Sequence, residues 1–177
     1  MSEPPLTLAQ VNALDREQFT EQLSGLFEGP PWIIKAAWER RPFASVAALH
    51  EAFRRVMRAA PEEQQVALIR AHPDLVGRAA LVGTLGKASR EEQASAGLDR
   101  LSPEEIATFQ RLNAEYQARF GFPFVICARE NTKATILAGF ADRLPHSREC
   151  EIATALDEIA KICAVRLRDM VREEETP

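Results

Sequence analysis

The sequence predicts an all-α fold, a single-domain compact bundle of about eight to nine helices with one short extended connector. Capping boxes recur along the chain, apolar residues return at steps of three and four, and only one short segment reads as extended. Thr7 with Gln10, Ser89 with Glu92 and Ser102 with Glu105 follow the pattern in which two side chains satisfy two orphaned backbone N–H groups. Pro103 follows its Ser cap, and Pro61 opens a polar-then-apolar run. Both suit a first helical turn, where the missing N–H would have no partner anyway.

Taken in order, helices are expected near 8–27, 31–40, 45–59, 61–71, 74–81, 89–97, 103–119, 132–143 and 147–172. Val46, Leu49, Phe53, Val56 and Met57 make one apolar stripe; Ile106, Phe109, Leu112, Tyr116 and Phe120 make another. The segment Phe122-Pro-Phe-Val-Ile-Cys is bulky and β-branched with a proline inside, which suits a buried extended connector more than a sheet strand. One such segment cannot make a sheet. Neither an internal repeat nor a low-complexity linker divides the chain, so one domain over 1–177 is expected, with its core at about 7–172 and a tail at 173–177 that frays.

With 46% apolar and 27% charged residues in 177, the composition is that of a globular protein. Twenty-two basic residues against 26 acidic ones leave a charge of −4, which gives no general pull toward nucleic acid or acidic membranes. No apolar run approaches the ~18–20 residues of a membrane span. The N-terminal Met-Ser-Glu-Pro-Pro-Leu has neither the basic start nor the apolar core of a secretory signal, so a cytoplasmic protein is expected. Cys127, Cys150 and Cys163 are odd in number and lack C-x-x-C spacing, which indicates neither a disulfide framework nor a zinc knuckle. Apolar neighbours around Cys127 and Cys163 predict buried thiols.

Gly83-Thr-Leu-Gly86-Lys87 is not a phosphate loop. A Walker A motif needs glycine at 81 and Ser or Thr at 88, where Leu81 and Ala88 stand, and no strand precedes it. His50 and His146 read as surface residues. His72 ends a helical run, and Pro73 disfavours its continuation. The negative end of a helix favours an imidazolium, which suits a capping histidine as well as a catalytic one. His72-Pro73-Asp74 is also the tripeptide of J-domain co-chaperones, which opens the alternative of a helical protein-binding module. In those domains the preceding helix is strongly basic; here it carries Glu62, Glu63 and a single Arg70.

The last helix has its own anomaly. Ile152, Leu156, Ile159, Cys163 and Met170 form a stripe whose missing step falls on Arg166. A guanidinium there needs a carboxylate or anion opposite it, unless it snorkels to the helix edge. Glu92 either closes the Ser89 box or, with Ser89 and Gln93, faces a helix N-terminus suited to a small polar anion.

Ala71-His-Pro-Asp-Leu-Val-Gly, Ser89 to Leu98, Leu112-Asn-Ala-Glu-Tyr, Phe120 to Arg129, Ala134-Thr-Ile-Leu and Glu158 to Leu167 together resemble the 2-oxo-4-hydroxy-4-carboxy-5-ureidoimidazoline (OHCU) decarboxylase family, over about 7–172. The resemblance implies an all-helical enzyme of urate breakdown, usually a homodimer, that needs neither metal nor organic cofactor and makes S-allantoin and CO₂ from a small anionic substrate. It implies His72, Glu92 and Arg166 as catalytic residues. Substrate contacts would come from Pro73, from Ser89, Arg90, Glu91, Glu92 and Gln93, and from Phe124, Val125, Ile126, Cys127 and Ala128. Arg166 is expected to be fixed by Glu92, both facing a pocket that contains His72. No nucleic acid or membrane partner is implied. The chain ends Glu-Thr-Pro, so the peroxisomal tripeptide of some eukaryotic members is not implied either.

Overall fold

In the computed structural model, which describes residues 4–173, the chain is predominantly helical. Its helices are α1 (Leu8–Ala13), α2 (Arg16–Leu23), α3 (Trp32–Ala37), α4 (Val46–Ala59), α5 (Glu62–Arg70), α6 (Arg78–Leu81), α7 (Lys87–Ser95), α8 (Pro103–Phe120), α9 (Lys133–Arg143) and α10 (Arg148–Met170). Single 3₁₀ turns stand at Ser24–Leu26, Trp38–Arg40 and Ala128–Glu130. The chain divides into two compact units, residues up to 62 with those from 160 onward, and residues 63–159; α10 contributes to both. Among the described residues no helix is long and apolar enough to cross a membrane.

In the first unit, Thr7 and Gln10 close the expected capping box on α1. The expected helix 8–27 is broken, however. Leu14 is extended, and Asp15 opens α2 with a second capping box to Gln18. The core is aromatic and aliphatic: Phe19 stacks on Phe43, Phe27 meets Phe53 edge-on, and Leu49, Phe53 and Met57 of the α4 stripe are buried. A two-residue parallel ladder, β1 (Leu6–Thr7) with β2 (Val171–Arg172), joins segments far apart in the chain. Two residues carry no readable period, so the sequence predicts no strand here. Glu173, assigned by the sequence to the fraying tail, accepts a hydrogen bond from the Val46 N–H at 2.7 Å. The rest of that tail, 174–177, lies outside the described residues. His50 is half-buried rather than superficial, and its Nε2 donates to the Ala160 carbonyl at 2.7 Å.

In the second unit, Ser102 and Glu105 cap α8 as expected, with Pro103 in the first turn. Gly121 ends this helix at φ +79°, a left-handed conformation that glycine adopts without a Cβ penalty. Tyr116 is wholly buried among Phe120, Phe122, Phe124 and Phe140. The segment 122–127 joins no helix or strand and is mostly buried, with extended backbone at Cys127. Two expectations fail. α7 begins at Lys87, with Gly86 as an N-cap that makes no side-chain hydrogen bond, so Ser89 and Glu92 do not form a capping box. Residues three apart also share a helix face, so the same letters fit an interior turn. And 74–77, expected to be helical, is a tight loop ahead of α6.

Candidate active site

The end of α5 fixes the first functional group. Beyond Arg70 the His72 backbone N–H bonds the Ile69 carbonyl at 3.1 Å, and the buried His72 ring places Nδ1 2.9 Å from the Leu68 carbonyl. A carbonyl only accepts, so Nδ1 carries a proton and Nε2 is the ring's second protonation site. The capping role and an acid–base role are therefore compatible: one nitrogen holds the ring, and the other is a separate site of protonation.

Pro73 then turns the chain into a strained loop. Val76 has φ +53°, unusual for a β-branched residue, and a conformation of this kind costs on the order of 1–3 kcal/mol. A Cβ at Gly77 would lie 2.7 Å from the Asp74 Cβ, so only glycine fits. Two side chains brace this loop. The Gln93 amide accepts from the Val76 N–H at 3.1 Å and donates to the Asp74 carbonyl at 3.3 Å. Asn113 Nδ2 donates to the Leu75 carbonyl at 2.7 Å. Asn113 is not among the residues expected from the sequence to serve the site. Its signal is in the sequence nonetheless: four residues after Phe109 and three before Tyr116, it is a polar residue on the α8 apolar stripe.

Helical spacing sorts the α7 candidates. Ser89, Glu92 and Gln93, at steps of three and four, share the inward face; Ser89 and Gln93 are buried and Glu92 is half-buried. Arg90 and Glu91 lie on the exposed side, where Arg90 donates to the Leu85 carbonyl and Glu91 pairs with Lys87 in solvent. α7 packs against the Ala128–Glu130 turn. This brings Glu92 close enough to the Cys127 thiol to act on it. Burial first, then the Glu130 carboxylate and more weakly those of Glu158 and Glu92, push this thiol up to about 11. Cys127 is therefore protonated at neutral pH and is no nucleophile.

The Phe124–Ala128 stretch is held from behind. Arg143 Nη1 donates to the Val125 carbonyl at 2.7 Å, Glu158 accepts from the Cys127 N–H at 2.8 Å, and Asn131 donates to the Cys127 carbonyl at 2.9 Å. Ile126 is the least buried of the five. Arg143 is itself part of a buried network that no local sequence signal marks: its Nε meets Glu151 at 2.9 Å, Tyr116 donates its hydroxyl to the same carboxylate, and His146 Nδ1 bonds the other oxygen at 2.9 Å. Burial, and after it the hydrogen bond to Glu151, raise Tyr116 well above the usual tyrosine range of about 10. Tyr116 is the only tyrosine in the chain. Ultraviolet phenolate absorbance of the native protein should therefore stay silent at a pH where the urea-unfolded chain titrates. Because the unfolded state alone releases that proton, stability should fall as pH rises above about 10. Native titration at the ordinary value would contradict this arrangement.

Arg166 is buried on the α10 stripe, as its position predicts, and meets a carboxylate that the sequence did not single out. Its Nη2 contacts Glu28 at 3.2 Å and its Nη1 donates to the Gly25 carbonyl at 3.2 Å, within the first unit. Removing Glu28 should cost about 1.5–3 kcal/mol, the worth of a charge-assisted hydrogen bond. The double variant Arg166→Met/Glu28→Leu should cost less than the sum of the singles in a thermal-denaturation cycle. Strict additivity would uncouple the pair.

A histidine beyond a helix end, a braced loop and a polar helix face lie together on a helical scaffold, equipment suited to a small polar molecule. A family model described as OHCU decarboxylase matches residues 12–168. A protein of Haloferax volcanii named 2-oxo-4-hydroxy-4-carboxy-5-ureidoimidazoline decarboxylase is 43% identical over 169 residues, covering 96% of this chain and 98% of its own. One of the same name from Halalkalicoccus jeotgali is 40% identical over 165 residues, covering 93% and 92%. A solved structure of (S)-allantoin synthase shares the fold at a TM-score of 0.76 and 24% identity, over 95% of this chain and 54% of that one. The chain belongs to the OHCU decarboxylase family. These likenesses lend nothing to the J-domain-like alternative.

Proposed function

We propose that this protein is a carboxy-lyase of urate breakdown that converts 2-oxo-4-hydroxy-4-carboxy-5-ureidoimidazoline to S-allantoin and CO₂ without metal or organic cofactor. The observation that carries this reading is the His72 ring, with Nδ1 committed to Leu68 and its loop tied by Gln93 to the inward face of α7. In the proposed reaction the carbon–carbon bond to the carboxylate breaks, CO₂ leaves, and the electron pair remains on the ring carbon until a proton arrives. The carboxylate form takes up one proton per turnover. Through Nε2, His72 exchanges that proton with the substrate hydroxyl or the new carbanion. Glu92 accepts from a substrate N–H or hydroxyl, and Arg166 balances anionic charge. Pro73, Ser89, Gln93 and the Phe124–Ala128 stretch shape the site, with Ile126 the member of that stretch most open to a ligand. The coupling of Arg166 to Glu92 expected from the sequence belongs to this proposal, and Arg166→Met with Glu92→Leu in a stability cycle tests it.

The deciding experiment generates the urate oxidation product in situ and follows circular dichroism of allantoin, with and without the protein. Accelerated appearance of one enantiomer, undiminished after exhaustive EDTA treatment and dialysis, supports the reading; no acceleration, or activity restored only by Zn²⁺ or Mn²⁺, overturns it. A cytoplasmic homodimer completes the proposal. Light scattering at twice the 19.7 kDa chain mass supports the dimer, and scattering at the chain mass contradicts it.

A further inference from the structure

We propose that Asn113 is a positioning residue for His72, acting through the loop that follows it; the inference rests on the acid–base role given to His72 above. Four observations converge on this loop. Val76 is held at positive φ, and Gly77 leaves no room for a Cβ. Gln93 binds the backbone on both sides of Leu75, and Asn113 binds the Leu75 carbonyl itself. A segment this strained keeps its conformation only while its surroundings over-determine it.

The Asn113 amide is used from one end. Nδ2 faces Leu75, while the buried Oδ1 has no hydrogen-bond partner among the described residues. An unpaired buried acceptor is unfavourable, and an apolar side chain of similar volume would remove it. The amide is therefore present for its donor. Aspartate has no donor when ionised, and leucine has none at all. That donor fixes the middle of the loop three residues beyond His72, so the imidazole cannot swing away from the Leu68 carbonyl that sets its tautomer. Asn113 touches no reacting atom in this account. It fixes the direction in which Nε2 points.

The test uses ¹⁵N-histidine-labelled full-length protein. With three histidines in the chain, the His72 ring signals are assignable by comparison with His72→Gln. The parent protein should show His72 as one tautomer with Nδ1 protonated. Asn113→Leu should stay folded by far-ultraviolet circular dichroism yet show a mixed tautomer. Its kcat should fall about 10- to 100-fold while KM changes little, the pattern of a misaimed group rather than lost binding. A folded Asn113→Leu with the parental ring spectrum overturns the proposal, whether or not decarboxylation is observed. A changed spectrum supports it even if the protein acts on some other substrate. A second measurement needs no variant: an Asn113 side-chain N–H proton must be protected from exchange in the parent protein. Exchange at the rate of an exposed amide overturns the proposal by itself.

Discussion

His72→Gln should lower turnover of the ureidoimidazoline by roughly 10²-fold or more, the scale of a lost general acid–base group. Glutamine keeps an N–H donor for the Leu68 carbonyl, so the variant should retain its fold while losing the nitrogen proposed to exchange protons. His72→Asn should behave alike. The informative control is His50→Gln. The His50 hydrogen bond to Ala160 ties α4 to α10 in the first unit, so this variant should lose melting temperature and keep turnover per folded molecule. Equal losses of turnover at the two histidines would make the effect one of stability and remove His72 from the chemistry.

The largest loss of stability is expected at Arg143. Its guanidinium and the Glu151 carboxylate are 8% and 0% exposed, and each serves further partners: the Val125 carbonyl on one side, the Tyr116 hydroxyl and His146 on the other. Arg143→Met leaves a carboxylate in the interior without its guanidinium, at an expected cost of about 3–5 kcal/mol. At roughly 2–4 °C per kcal/mol for a chain of this length, the melting temperature should fall by about 6–20 °C. Glu151→Leu alone strands the opposite charge and should cost a similar amount. The double variant should lose clearly less than the sum, since neither charge is then left unpaired. Glu91, whose pair with Lys87 is open to solvent, should tolerate alanine with no measurable change. Additive losses across Arg143 and Glu151 would show that the two act separately.

Much of the fold was legible because helix signals are local. The boxes at Thr7 and Ser102, the proline after Ser102 and the stripes of α4 and α8 are decided within one or two turns. The His72 boundary was readable for the same reason, since Pro73 acts on its immediate neighbour. Local signals mislead where they are degenerate. Ser89 and Glu92 spell a capping box, yet α7 starts two residues before Ser89 and the pair shares its inward side instead. Asp15 and Gln18 spell another, and it cuts the first expected helix in two.

The sequence by itself determined that this chain is helical, that a histidine closes α5, and that an arginine interrupts an apolar stripe. Tertiary structure alone decided the partners. Arg166 finds Glu28 138 residues away, Asn113 finds Leu75 38 away, and Arg143 finds Val125 18 away. An apolar stripe states that a charge or an amide on it must be compensated, because an unpaired polar group in the interior is costly. It does not state by which residue, since several carboxylates and carbonyls satisfy the same requirement until the helices pack and leave one within reach.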